Sequence, residues 1–330
     1  MDNLAHSLAG AALGEAGLKK KTGLGMAALI IGANLPDIDV LGLLVNENLA
    51  WRRGWTHGPI AMLILPPLLA AALALFDHVQ GKRGTRPADR LPIHRGWLLA
   101  LAYVGWFSHP LLDYMNTYGI RLLMPFSERW FYGDVLFIID LWIWIMLGLG
   151  VWLSRRRQRQ GSAKAARPAR LSLALSSAYI LAMGLSSDAA DRMTRDQANA
   201  QGLGPVTDVV ASPVPLNPFR RDMVFVTSDS YGFGTLNWRP APHIHLQDRL
   251  IKTNMDDPAL AEARKDKAVA DFLYWSRLPY AQVVRTPTTT TVTLADARYG
   301  GPAMRGPFVV TVKLPASAVA EQTQRGADRP

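Results

Sequence analysis

Histidine and aspartate side chains lie in or beside the apolar segments of this 330-residue chain. His109 and Asp113 are four residues apart, so a helix would present the imidazole and the carboxylate on one face. Two further carboxylates, Asp37 and Asp39, lie at the end of an apolar segment, and His57 begins another. Ionisable groups are costly in hydrocarbon and rarely persist there without a partner or a task. These residues therefore predict metal-dependent chemistry at a membrane.

The chain contains no cysteine, which restricts the metal ligands it can offer. Thiol nucleophiles, thiolate ligands and disulfides are excluded. Histidine nitrogen with carboxylate oxygen suits zinc, and also manganese or iron. Such a metal lowers the pKa of bound water from about 15.7 to about 7, and metal pairs about 3.5–4 Å apart are common in phosphoester hydrolysis. We expect a divalent metal cofactor, one or two ions, with zinc as the first choice.

Five segments are long and apolar enough to span or nearly span a bilayer, which takes about 20 residues. They are residues 24–45, 58–76, 97–115, 135–153 and 171–187. Residues 4–17 precede them as an Ala/Gly-rich stretch too short for a normal span, and its sequence leaves open whether it re-enters the membrane or lies on it. The first 187 residues thus predict a mostly α, polytopic membrane helical bundle with a short N-terminal helix.

Basic residues indicate the orientation of this bundle. Residues 1–187 carry 19 Lys and Arg against 11 Asp and Glu, and most of these cations lie in loops 77–96 and 154–170. Cytoplasmic loops are enriched in Lys and Arg, so both loops are expected in the cytoplasm of a bacterial inner-membrane protein. The histidines and aspartates then share one depth near the outer face, where His6 joins them if its segment enters from outside. No aromatic–basic motif indicates a nucleic-acid partner.

The chain changes character near residue 188, where Pro and Gly become frequent. Runs at 223–227, 288–294 and 308–314 alternate and are rich in Val, Thr and Phe, which predicts strands. Residues 257–273 predict one helix. We expect residues 188–330 to form an extracytoplasmic α+β or β domain.

Each candidate ligand also has a structural interpretation. His6 could be a polar residue on a helix face, the two aspartates could cap a broken helix, and His57 could be an interfacial histidine. The i, i+4 pair could be a structural hydrogen-bonded pair, and Asp140 stays open between ligand and supporting residue. A shared depth favours a common site over separate roles.

Four further polar residues are candidates for binding substrate: Arg53, Asn116, Arg129 and Asp134. Positive-inside bias disfavours arginine in outer loops, and arginine binds phosphate bidentately. A phospholipid or other anionic head group would suit them. Snorkelling of the arginines at the interface is the alternative.

Five motifs, in order along the chain, resemble the YdjM-like family of bacterial inner-membrane proteins, described as membrane-bound metal-dependent hydrolases. They are residues 4–10, 33–39, 53–58, 109–119 and 125–134. The resemblance covers about residues 1–155 and implies a multi-pass hydrolase.

The order of histidines and aspartates is also similar to the zinc-dependent phospholipase C and single-strand nuclease superfamily. That resemblance implies zinc ligands at His6, Asp37 or Asp39, His57, His109 and Asp113. The last of these would bridge two metals. A later His-x-x-x-Glu pair is missing from the sequence, which favours one or two metals over three.

We therefore expect a hydrolase in which metal-activated water attacks a lipid-like substrate arriving from the outer leaflet. A phosphoester is preferred over an acyl ester. Asp37, Asp39 and His57 are the expected catalytic residues, with the aspartates supplying a ligand and a base. A transporter or ion pathway using the same carboxylates, or a scaffold with a structural metal, is the alternative.

Overall fold

Six long helices make up the first half of the chain in the computed structural model, which describes residues 1–45, 52–306 and 308–319. Their bounds are α1 Asn3–Glu15, α2 Gly25–Asn34, α3 Pro59–Lys82, α4 Arg95–Tyr114, α5 Leu141–Arg159 and α6 Arg167–Ala200. Short 3₁₀ helices occupy Leu18–Lys20, Leu35–Val45 and Trp55–His57. Contacts group Met1–Ser186 with Pro215–Pro218 as one unit, and Ser187–Val214 with Phe219–Pro330 as the other.

The helical half agrees with the expected fold class, but the predicted five spans are too many. Three helical segments in the described ranges are long and apolar enough to cross a membrane: Gly25–Gly42, Pro59–Lys82 and Arg167–Ala200. The predicted span 97–115 corresponds to α4, whose last turns carry a histidine and an aspartate. The predicted span 135–153 corresponds to α5, which begins only at Leu141 and ends in arginines. Polar residues therefore shorten both apolar runs.

Asp140 begins α5 as its N-cap. Its carboxylate accepts hydrogen bonds from the backbone N–H groups of Trp142 and Ile143, at 3.0 and 3.1 Å, and from the Tyr179 hydroxyl at 3.1 Å. A cap of this kind satisfies N–H groups that have no partner inside the helix. The role of this residue, which the sequence left open, is therefore structural.

Glycines set the distances between α1, α2 and α4. A Cβ on Gly10 of α1 would lie 2.7 Å from the Leu29 carbonyl oxygen of α2. On Gly105 of α4 it would lie 2.6 Å from the same oxygen, and on Gly32 it would lie 2.8 Å from the Ala102 oxygen. Small residues let helix backbones approach this closely in membranes. The three helices are thus in contact through their peptide groups.

The second half contains two antiparallel sheets, which confirms the predicted strand-rich domain. The first consists of β1 Asp208–Pro213, β2 Arg220–Val226, β3 Ser230–Asn237 and β4 His243–Leu246 in that order, with β5 Ile251–Lys252 also paired to β3. The second consists of β6 Pro279–Arg285, β7 Thr289–Asp296 and β8 Val309–Pro315. Short helices are α7 Ala259–Ala263, α8 Lys267–Trp275 and α9 Ala297–Gly300.

The single helix predicted over residues 257–273 is wrong, because the chain forms α7 and α8 there. Asp266 leaves the helical conformation between them and caps α8 by accepting hydrogen bonds from Ala268 and Val269. An aspartate at this position favours a new helix start over continuation.

Gly105→Ala tests the contact between α2 and α4. The added methyl group would be too close to the Leu29 carbonyl oxygen, and overpacking of this kind costs about 1–3 kcal/mol. We expect a lower thermal unfolding midpoint in detergent. Gly148→Ala on α5 is the control, since its Cβ would meet nothing within 4 Å and alanine favours helix. Equal stability of the two variants would contradict the close approach.

Candidate metal centre

Four of the predicted ligands meet in one buried group. Asp37, His57, His109 and Asp113 each offer a ligand atom, and these atoms all lie within 4.8 Å of one another. The 3₁₀ helix after α2 supplies Asp37, and the 3₁₀ turn before α3 supplies His57. The other two come from α4, where the i, i+4 spacing brings His109 Nε2 to 3.4 Å from Asp113 Oδ2. This group could hold a metal ion.

The backbone of α2 fixes the orientation of His109. Its Nδ1 lies 2.7 Å from the Ala33 carbonyl oxygen, which can only accept, so Nδ1 donates this hydrogen bond. Nε2 is then the ring nitrogen that faces the buried group. Ligand histidines are commonly held in this way by a hydrogen bond from their other nitrogen. The close approach of Gly105 to α2 makes the bond to Ala33 possible.

His57 faces His109 across the group, with 3.1 Å between the two Nε2 atoms. Its Nδ1 lies 3.0 Å from Thr56 Oγ1 and 3.7 Å from Asp39 Oδ2. Burial lowers the pKa of His57 to about 4, so its imidazole is neutral at pH 7. A neutral imidazole is the form that binds a metal.

His6, from α1, completes the cluster and has no exposed surface. Its ring stacks on His109 with centroids 3.7 Å apart, and its Nε2 lies 3.3 Å from Asp113 Oδ1. Its Nδ1 has no hydrogen-bond partner among the residues that the structure describes, and its Nε2 has only this contact with Asp113. Leaving buried polar atoms unpaired costs about 1–3 kcal/mol, so these nitrogens fit a site built for a further ligand. We call these five residues (His6, Asp37, His57, His109 and Asp113) the His/Asp cluster.

A guanidinium charge and a hydrogen bond compensate the fully buried carboxylate of Asp113. The Nε atom of Arg53 lies 3.1 Å from Asp113 Oδ2, and the amino group of Met1 donates to Oδ1. Burying an ion without such partners costs several kcal/mol. Asp113 can therefore remain an anion beside the three imidazoles.

Arg53 is itself held from several directions. Its Nη1 donates to Asn116 Oδ1 at 2.9 Å, its backbone N–H donates to Asp39 Oδ2 at 2.6 Å, and its guanidinium lies 4.8 Å from the centre of the Tyr118 ring. Its φ of 51° is in the left-handed region that L residues rarely adopt. Such backbone strain persists only where surrounding contacts fix it, and it is common at functional sites.

Two of the remaining predicted site residues, Asp39 and Asn116, support members of the cluster or Arg53, and the other two are described by their own surroundings. Asp39 is behind His57, where it contacts Nδ1 and holds Arg53. Asn116 is buried and positions the same arginine. Arg129 is exposed, with its guanidinium 5.2 Å from the centre of the Phe131 ring, and Asp134 is half-buried with a φ of 53°.

Sequence reasoning did not identify several supporting groups. The Ala33 carbonyl is a backbone atom, so its role leaves no signal in the residue type. Thr56 could have been noticed as the neighbour of His57, and Tyr118 as an aromatic residue in a motif already singled out. Their roles depend on contacts between segments far apart in sequence.

An apolar cleft reaches the cluster at His57. It has a volume of about 390 Å³, and Met62 of α3 and Trp106 and Leu111 of α4 line it with mostly apolar neighbours. A mostly apolar cavity with a few polar groups at one end is typical of small-molecule sites.

Arg53→Met should destabilise the metal-free protein, because Asp113 loses its guanidinium partner. Removing one partner of a buried ion pair costs about 3–5 kcal/mol, measured as unfolding free energy in the presence of a chelator. Arg129→Met is the matched control, and an exposed substitution should stay within about 0.5 kcal/mol of the parent. Equal losses in both variants would argue against the compensating role of Arg53.

A family model described as YdjM inner membrane protein matches residues 1–190. The matched region contains the whole His/Asp cluster and extends beyond the expected residues 1–155, which confirms the resemblance to this family, whereas hydrolase activity stays a prediction. Searches of curated proteins and of solved structures found no match. The relation to zinc-dependent phospholipase C and single-strand nucleases stays a prediction.

Proposed function

This chain belongs to the YdjM inner membrane protein family, and on that basis we propose that it is a membrane-bound hydrolase with a divalent metal ion held by the His/Asp cluster. The proposal is carried by four of its residues, Asp37, His57, His109 and Asp113, whose buried donor atoms all lie within 4.8 Å of one another. A nitrogen and oxygen donor set without thiolate favours zinc, as one or two ions. When bound, the metal would supply activated water at neutral pH.

The hydrogen bonding of the cluster supports a metal over a purely structural network. A proton shared between His57 and His109 would satisfy those two Nε2 atoms. It would leave His6 Nδ1 without a partner among the described residues, and His6 Nε2 with only its 3.3 Å contact to Asp113 Oδ1. Buried polar groups are almost always paired, so an additional ligand for these donors is the simplest explanation of the arrangement.

The surrounding residues would orient the reacting groups. Asp39 lies 3.7 Å from His57 Nδ1 and would hold that ring, as carboxylates do behind metal-binding histidines. Asp37 has one oxygen 3.7 Å from His109 Nε2 and is the candidate general base, because it is the member of the cluster that is least enclosed.

The apolar cleft indicates the substrate class. Its lining would accept an acyl chain, and its end at His57 would bring the ester group of that chain to the cluster. We therefore propose a lipid-like substrate with a phosphoester, in preference to an acyl ester. Entry from the outer leaflet and an extracytoplasmic C-terminal domain follow from the basic loops.

Elemental analysis of the purified protein tests the metal. We expect one or two equivalents of a transition metal per chain. The metal should be lost in His109→Ala, because this substitution removes one of the ligand atoms. His243→Ala, at an exposed histidine of β4, should retain the full content. A parent protein that is fully folded and contains no metal would contradict the proposal.

Hydrolysis assays test the reaction with a phospholipid and with a short soluble phosphoester. Asp37→Asn should lower both rates by about 10²-fold or more, the usual contribution of a general base. Met62→Trp fills the apolar cleft, so it should slow the lipid substrate and spare the soluble one. A metal-loaded protein that cleaves neither substrate would instead indicate a structural metal.

A further inference from the structure

A second cavity lies where the end of α1 meets the beginning of α6. Its volume is about 630 Å³, and its lining comes from residues 16–21 and 163–170. No acidic residue is among the eleven that line it, whereas five are cationic. The cationic residues are Lys20, Lys21, Lys164, Arg167 and Arg170. We call the space that they line the basic cavity.

The acidic residue adjacent to this lining in sequence is already neutralised. Glu15 pairs with Lys19 Nζ at 2.5 Å and with Arg155 Nε at 3.1 Å. Arg170 is held at the rim, because its Nε donates to the Ala16 carbonyl oxygen at 2.8 Å. The Glu15 carboxylate therefore does not neutralise the cations of the basic cavity.

Three of the cations are exposed and have no acidic partner among the described residues. Lys20, Lys164 and Arg167 are exposed and form no ion pair with any residue that the structure describes. Like charges this close together repel, and a bound anion would relieve the repulsion. The cavity is therefore electrostatically complementary to an anion with several acceptor oxygens.

The position of the cavity indicates the source of that anion. Arg167 is the first residue of the candidate span Arg167–Ala200, so the cavity lies at the depth where apolar helix gives way to water. Lys21 lies 5.0 Å from the centre of the Trp97 ring, and tryptophan is enriched at the same depth. Phosphate head groups of lipids occupy this region, and basic pockets between helices bind them.

We propose that the basic cavity binds the phosphate head group of an anionic phospholipid, at a site separate from the His/Asp cluster. Arg167 and Arg170 would contact the phosphate oxygens through their planar guanidinium groups. Lys20 and Lys164 would add charge from the two opposite segments. The bound lipid would join the end of α1 to the beginning of α6.

The test is lipid-dependent thermal stability of the full-length protein in a neutral detergent. Phosphatidylglycerol, phosphatidylcholine and inorganic phosphate are titrated separately, and the concentration giving half of the maximal stabilisation is compared. Lys20→Gln/Lys164→Gln/Arg167→Gln removes three charges from the cavity. Lys82→Gln/Arg83→Gln/Arg95→Gln removes three exposed charges elsewhere in the basic loops and is the matched control.

We expect phosphatidylglycerol to stabilise the parent protein, and phosphatidylcholine and inorganic phosphate to have little effect at equal concentration. The cavity variant should need at least about tenfold more phosphatidylglycerol, since each cation near an anionic lipid contributes measurably to binding. The control variant should stay within about twofold of the parent. Lys164→Glu alone should reproduce the loss if the triple variant folds poorly.

Three results would overturn the proposal. Equal weakening in the control variant would indicate attraction by diffuse charge, and an unchanged cavity variant would remove the cavity from the interaction. Equal stabilisation by inorganic phosphate would indicate a site for a free anion instead of a lipid.

Discussion

A carboxylate with no exposed surface, that of Asp113, governs the arrangement of the helical unit. The cost of removing such an ion from water must be offset by neighbouring charge. Arg53 supplies a guanidinium beside Oδ2, the imidazoles of His57 and His109 face the same oxygen, and the imidazole of His6 faces Oδ1. The unusual backbone at Arg53 and the glycine contacts of α2 with α1 and α4 are the means by which these groups reach one carboxylate.

No single regular helix could assemble this cluster. Spacing i, i+4 brings two donors together on α4, but the others come from α1 and from two 3₁₀ segments adjoining α2 and α3. Irregular backbone at membrane depth is tolerated where it is buried in protein or lines a cavity. The 3₁₀ segments at Asp37 and His57 meet this condition, since both residues are buried and His57 lines the apolar cleft. The interruption of the helices is thus part of how the site is built.

The amino-acid sequence predicted the local parts of this structure and missed the parts that depend on distant contacts. The pairing of His109 with Asp113 followed from spacing, and Asp37 and His57 followed from short motifs. Arg53 was interpreted as a substrate contact, because nothing local showed that it would lie against Asp113. Asp140 could not be assigned until Trp142 and Ile143 were seen to donate to it. The number of spans was overestimated, because hydropathy alone did not show where α5 begins.

The glycine contacts have a consequence for how this protein can diverge. The backbones of α1, α2 and α4 contact one another directly at glycines, and these contacts set the distances between the helices. The distances among the donor atoms therefore depend little on the side chains of the outward-facing surface. Leu63, Leu68 and Leu181 belong to that surface and are largely exposed. Such positions can exchange one apolar residue for another as bilayer thickness or lipid composition changes between hosts, while the inner geometry is inherited unaltered. Substitution should therefore be permissive on one face of each helix and nearly forbidden on the other.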